Sequence, residues 1–185
     1  WIYDELSFNK YHQNYERIAQ IMQQDLEDGR TLTDGSMPMA LGSEVRSTLL
    51  GHFERVTMST HPTEYIISGV DKKFIQSGLY MQPDGPEMFT LKMLYGDRSG
   101  LKDRNSIFLS ESLAKKLFGN DDPTGQPVKI DNTQDVVVTG VYEDFPDNTE
   151  FKNVTFIAPL DLYISANEWV RKIQDDWASH FIFIY

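Results

Sequence analysis

The 185-residue chain has no cysteine, which excludes a disulfide framework and any thiolate metal site. That absence fits an oxidising compartment without requiring one. Basic residues are scarce: 17 Lys and Arg face 28 Asp and Glu, leaving a net charge of −11. Nucleic acid needs a basic footprint and anionic lipid a polybasic face, so neither is an expected partner. No apolar run approaches the roughly 18 residues that span a bilayer, and no secretory leader is visible. Catalytic signatures are missing as well. There is no G-x-S-x-G, no Walker A lysine motif and no GxGxxG, so hydrolase, kinase and ATP-binding readings have no anchor. His12, His52, His61 and His180 are scattered, without HExxH or another short metal spacing.

What is present indicates a folded protein. Hydrophobic residues make up 40% and aromatics 12%, well outside the disordered regime, and the length suits one sizeable core or two small subdomains. The most legible stretch runs from Asn105 to Pro146. Ser106 to Leu109 is a short apolar strand. Ser110 then stands where a helix N-cap belongs, with Glu111 at the positive end of the dipole. Leu113, Ala114, Leu117 and Phe118 share one helical face, Lys115 and Lys116 suit the last turn, and Gly119 stops the helix. Asp122-Pro123-Thr124-Gly125 fits a type I turn. Val128 to Ile130 is a second strand, and the β-branched run Asp135 to Tyr142 predicts a central, buried one.

Elsewhere Phe8, Tyr11, Tyr15, Ile18, Met22 and Leu26 recur at steps of three and four. This spacing predicts an amphipathic helix over 9–28, capped by Ser7 or Asn9 and ended by Gly29. Residues 30–37 are expected to be a loop, and Pro38 to open a helix reaching about Leu50, closed by Gly51. A β-meander follows, over 52–60, 64–70 and 73–81, then a turn at 83–88 and a strand or short helix at 89–94. Strands are also expected at 153–158 and 180–185, with a short helix from Pro159, while 167–176 stays open. Acidic groups cluster at Asp121-Asp122, at Asp131 with Asp135, and at Glu143, Asp144, Asp147 and Glu150. The last set could supply oxygen ligands to Ca²⁺ but lacks EF-hand spacing, so solvated loops are the better reading. No cofactor, metal or catalytic residue is assigned.

Four segments carry a family resemblance. SESLAKKLFGNDDPTGQPVKI followed by VVVTGVYEDFPDNTEF is similar to the periplasmic core domain of MacB-type, FtsX-like ABC transporter permeases. Ser110, Lys115, Phe118, Gly119, Asp122, Pro123, Gly125, Gly140 and Pro146 are the matching positions with structural roles. Ala114, Lys116, Thr139, Val141, Asp144, Asn148 and Phe151 also match. Asp4 to His12 resembles the segment after the family's first membrane helix, and Gly78 to Asp97 resembles the stretch between. The resemblance implies an α+β fold with mixed and antiparallel sheets and packed helices. It implies a membrane-proximal, porter-like αβ part, about 1–50 with 105–185, and a distal, sabre-like β-rich lobe, about 51–104.

It implies further a non-catalytic domain on the periplasmic side of the bacterial inner membrane, part of an integral membrane protein. Its partners would be the permease's own membrane helices, a second permease copy and a cytoplasmic ATPase, with a periplasmic adaptor or outer-membrane channel beyond. ATP-driven motion would pass through the domain to extrude peptides, toxins or lipoproteins. Trp1, Tyr3, Asp4, Glu5 and Phe8 would form the membrane-coupling joint, the aromatic opening being typical of a membrane interface. Flanking membrane helices are therefore expected outside this chain, a processed soluble protein being the alternative. Family members also continue past Tyr185 with another αβ unit. Without membrane anchors the isolated domain is expected to be monomeric. A second functional class stays open: an extracytoplasmic sensor holding a peptide or lipid between two lobes.

Overall fold

The computed structural model describes residues 7–27, 29–49 and 51–185. The helix expected over 9–28 does not form. After a single 3₁₀ turn at Tyr15–Arg17 the chain runs extended into β1 (Gln23–Glu27), which pairs with β2 (Arg30–Asp34). The competing local signal was the Asp28-Gly29 dipeptide, a two-residue hairpin signature. Gly29 takes φ 76° between the paired Glu27 and Arg30, so it closes a hairpin rather than a helix. The residues of the supposed stripe also diverge: Tyr11 and Ile18 pack on the core, whereas Met22 and Leu26 are exposed. The expected loop at 30–37 is consequently β2 followed by β3 (Met37–Pro38).

Pro38 does open a helix, α1 (Met39–Thr48), its missing N–H costing nothing at that position. Of the strand expected at 52–60, only β4 (Met58–Thr60) forms. Upstream of it Arg46 reaches across to donate to Val56 O and Gln82 Oε1, holding that stretch outside the ladder. β5 (Thr63–Ser68) and β6 (Lys73–Met81) are antiparallel, and Ser59 of β4 meets Met81 farther along β6. Then come α2 (Gly85–Met88), β7 (Met93–Gly96) and a 3₁₀ turn at Arg98–Lys102.

β8 (Ser106–Ser110) leads straight into α3 (Glu111–Phe118). Ser110 Oγ accepts from Leu113 N at 3.3 Å, the cap expected of it, and Gly119 follows at φ 69°. The next turn is shifted by one residue from the type I expectation. Gln126 N donates to Pro123 O at 3.1 Å, and Gly125, at φ 80°, occupies the third position, where only a positive-φ residue fits. β9 (Pro127–Ile130) and β10 (Gln134–Tyr142) form the next hairpin. β11 (Phe156–Pro159), α4 (Leu160–Ala166), α5 (Glu168–Lys172) and β12 (His180–Ile184) complete the chain.

Among the described residues ten strands join in one mixed sheet. β10 pairs parallel with β8 and antiparallel with β9 and β7, which makes it the central strand that its β-branched run predicts. β9 reaches β5, β5 reaches β6, and β6 pairs parallel with β11, which returns antiparallel to β8. Six strands thus form a closed circuit. From its rim β4, β12 and β3 extend as an antiparallel wing.

Alternation along the strands feeds two cores. Tyr80, Ile107, Leu109, Phe156 and Ala158 enter one, while Leu79, Met81, Phe108 and Ile157 enter the other. Strands buried on both faces read as unbroken apolar runs, which is why FIAP and SIFL look alike in sequence. Each fully buried aliphatic or aromatic side chain contributes about 1.5–3 kcal/mol. The buried tyrosines satisfy their hydroxyls: Tyr142 donates to Val154 O at 2.9 Å and Tyr80 to Gln134 Oε1 at 3.0 Å.

Candidate coupling site

The second core is built around an aromatic cage: His12, Phe89, Phe145, Phe151 and Tyr185, with ring centroids 5.0–6.4 Å apart. Four separate segments supply it. The N-terminal strap brings His12, the turn after α2 brings Phe89, the loop after β10 brings Phe145 and Phe151, and the residue after β12 is Tyr185. His12 is buried, and its Nδ1 lies 2.7 Å from Phe89 O. A carbonyl only accepts, so Nδ1 carries the proton. Burial holds the imidazole below its ordinary pKa, with the Phe89 contact opposing that only in part. Gln13 N donates to Thr90 Oγ1 at 2.9 Å, fixing the next residue of the strap.

Upstream of His12, the strap is clamped to the loop 143–151. Asn9 N donates to Asn148 O at 2.9 Å, and Asn9 Oδ1 accepts from Glu150 N at 3.0 Å. Asn148 Nδ2 donates to Ser7 Oγ at 2.8 Å and to Ser7 O at 3.3 Å. Asn9 sits at φ 60°, a left-handed conformation that asparagine tolerates better than most residues. The other end of the loop is held by α3. Asp144 accepts from Ser112 N at 3.1 Å and from Ser112 Oγ at 2.7 Å, completing the cap that Ser110 begins. Glu143 pairs with Lys92 at 3.0 Å, and Lys92 Nζ lies 5.1 Å from the Tyr11 ring centre. One loop therefore joins α3 to the strap.

The residues singled out in the sequence fall at five places. Ser110 caps α3 and Lys115 pairs with Glu111 on its exposed face at 2.5 Å, while Phe118 packs on the first core. Gly119, Asp122, Pro123 and Gly125 shape the exit from α3; Asp122 accepts from Thr124 N at 2.9 Å, and Gly125 N donates to Val138 O at 2.8 Å. Gly140 lies on β10, where an added Cβ would come 2.6 Å from Met93 Cε and 2.9 Å from the Phe108 ring. Pro146 lies in the bridging loop. Of the residues expected to form a coupling joint, Phe8 is 49% exposed, whereas Trp1, Tyr3, Asp4 and Glu5 lie outside the described residues.

Members of the acidic clusters meet separate donors. Asp131 accepts from Ile66 N at 2.8 Å and Asp135 pairs with Lys129 at 3.0 Å. Among the described residues no three His, Asp or Glu side chains gather to hold a metal. His12 and Asn9 escaped sequence reasoning because a false helical period covered them. A groove of about 440 Å³ adjoins the cage between the strap, α1 and β12, lined by Ile18, Ile21, Val45, Phe53, Val56 and Tyr185. At its mouth Arg17 and Arg55 both pair with Glu54, at 3.1 and 2.7 Å.

The mixed α/β sheet with its packed helices matches the folds of periplasmic domains from transporter permeases. The chain belongs to the MacB-like periplasmic core domain family, whose model matches residues 1–184. Its fold is similar to a domain of a protein described as a permease from Porphyromonas gingivalis, with TM-score 0.70 and 21% identity over 89% of this chain and 72% of that one. It is similar also to the extracellular domain of the noncanonic ABC-type transporter YknZ from Gram-positive bacteria, with TM-score 0.54 and 15% identity over 81% and 80% of the two chains. The periplasmic region of MacB from Actinobacillus actinomycetemcomitans gives TM-score 0.53 and 15% identity over 77% of this chain and 62% of that region. No curated protein matches. The family places the domain on the periplasmic side of a membrane permease. Among the described residues no helix is long and apolar enough to cross a membrane.

Proposed function

We propose that this chain is a non-catalytic periplasmic domain that relays ATP-driven motion of an ABC transporter permease to the extrusion of peptide, toxin or lipoprotein substrates. The observation that carries this reading is the clamp. A strap that follows the coupling joint is fixed to the domain by four hydrogen bonds between residues 7–9 and 148–150, and by the buried His12. Motion arriving at Phe8 would therefore move the whole sheet. Within this reading 1–50 with 105–185 is the membrane-proximal part and 51–104 the distal lobe. The pairings β5–β9 and β6–β11 tie the two together. Partners follow from the same reading: the permease's membrane helices, a second copy and a cytoplasmic ATPase, with an adaptor or outer-membrane channel further out.

The test uses the full-length permease carrying a spin label at Val70→Cys, a position 80% exposed. Adding a non-hydrolysable ATP analogue should shift the label-to-label distance between the two copies. Asn9→Ala combined with Asn148→Ala should blunt that shift while ATP hydrolysis persists. An unchanged shift in the double variant would remove the clamp from the relay.

A second reading, a sensor for a peptide or lipid, has one observation in its favour: the apolar groove beside the cage. A defined apolar peptide that raised the melting temperature of the domain, but not of a Phe53→Asp variant, would support it.

A further inference from the structure

The β1–β2 ribbon is built unlike the rest of the chain. All five residues of β2 are exposed, and the ribbon displays Leu26 at 79% and Leu32 at 48% exposure. Register places Leu26 opposite Thr31 on one face and Leu32 opposite Asp25 on the other, so each face offers one large apolar side chain. Among the described residues the two strands pair only with each other, leaving both outer edges with unspent N–H and C=O groups. Native proteins blunt such edges with charged side chains, above all Lys, or with Pro; residues 23–34 contain no Lys or Pro, and their charges are mostly acidic, a guard that a basic strand would not meet. A lone two-stranded hairpin is also marginal in water. This one is mounted firmly at its base, where Ile21 N donates to Ile184 O at 2.9 Å and Met37 pairs with Ile182. A ribbon held at its root and open along both edges is suited to receive another strand.

Charge selects among the strands it could receive. Residues 23–34 carry Asp25, Glu27, Asp28 and Asp34 against Arg30 alone, a net charge of −3 on a chain of net charge −11. A second copy would set like charge against like, and an anionic membrane would repel it. We propose that the ribbon is a docking arm that pairs, edge to edge, with a basic extended segment of a different protein. Leu26 and Leu32 would seat that segment's apolar side chains. This proposal stands whether the domain relays motion or senses a ligand.

The test titrates the 185-residue chain, labelled with ¹⁵N, with two synthetic octapeptides, (Val-Lys)₄ and (Val-Glu)₄. The expected result is that the basic peptide alone shifts and protects amides within 23–27 and 30–34, with affinity falling as salt rises. Leu26→Ser combined with Leu32→Ser should weaken it at least tenfold without moving the melting temperature. Three outcomes would overturn the proposal. The basic peptide could perturb acidic surface everywhere and bind the double variant equally well. The acidic peptide could bind as tightly as the basic one. The chain alone could self-associate in sedimentation, with the double variant monomeric, which would make a second copy the occupant.

Discussion

Replacing His12 by Phe tests the cage and its proton together. The substitution keeps a ring in the site but removes the Nδ1 donor to Phe89 O. Leaving a buried carbonyl short of its donor costs about 1–3 kcal/mol, a large share of the 5–15 kcal/mol typical of a domain. The pH dependence carries the sharper signature. Burial lowers the folded-state pKa of His12 from the ordinary 6.5, so above that pH the ring is neutral in both states and contributes no slope. Below it the unfolded chain takes up a proton that the folded chain refuses, and stability falls with pH. The loss is at most about 1.4 kcal/mol per pH unit and ends once pH passes the folded pKa.

Urea unfolding followed by tryptophan fluorescence, from pH 8 to pH 5.5, reads this directly. His12→Phe should be less stable than the native chain at pH 8, and the gap should narrow by up to about 1.4 kcal/mol by pH 5.5. His61, whose pKa burial also lowers, is present in both proteins and cancels in the comparison. If the two proteins lose stability in parallel across that range, His12 does not titrate as a buried neutral ring, and the account of the cage is wrong.

Four further outcomes follow from the geometry. Gly78→Ala places a Cβ 2.2 Å from the Phe156 ring, at the residue where β6 pairs with both β5 and β11, and should cost about 3 kcal/mol in chemical denaturation. Ser110→Ala should cost about 1 kcal/mol, and Asp144→Ala added to it should cost less than its separate effect, because both groups cap one helix end; a double-mutant cycle measures this. Asn148→Ala should cost about 1–2 kcal/mol and speed hydrogen exchange at the Asn9 amide, while Leu26→Ser should stay within about 0.5 kcal/mol of native.

Local signals made the central unit legible. Ser110, Gly119 and the β-branched run to Tyr142 act over a few residues and need no distant partner to define their conformation. The strap was illegible for the opposite reason. Half-buried Tyr11 and buried His12 pack on Phe89, Phe145 and Phe151, far away in the chain, so their spacing records contacts with those residues and not a helical face. A stripe at steps of three and four was matched by chance, while Asp28-Gly29, within the same window, carried the stronger signal. At the candidate site the matching motif contained Asp144, Asn148 and Phe151, but the hydrogen bonds that give Asn148 its meaning join residues 141 apart. The circuit of six strands was equally hidden, since parallel pairing of β6 with β11 leaves no mark on either strand alone.

That circuit also sets a timetable for folding. Its closing strand lies at Phe156–Pro159 and meets both β6 and β8, so the ring stays open until most of the chain is available. A polypeptide delivered from its N-terminus would therefore hold β6 and β8 with bare apolar edges during the interval before residue 156 arrives. The vulnerable species for this domain is thus the chain that already holds β10 but not yet β11, with two strand edges open to pairing with any other extended segment.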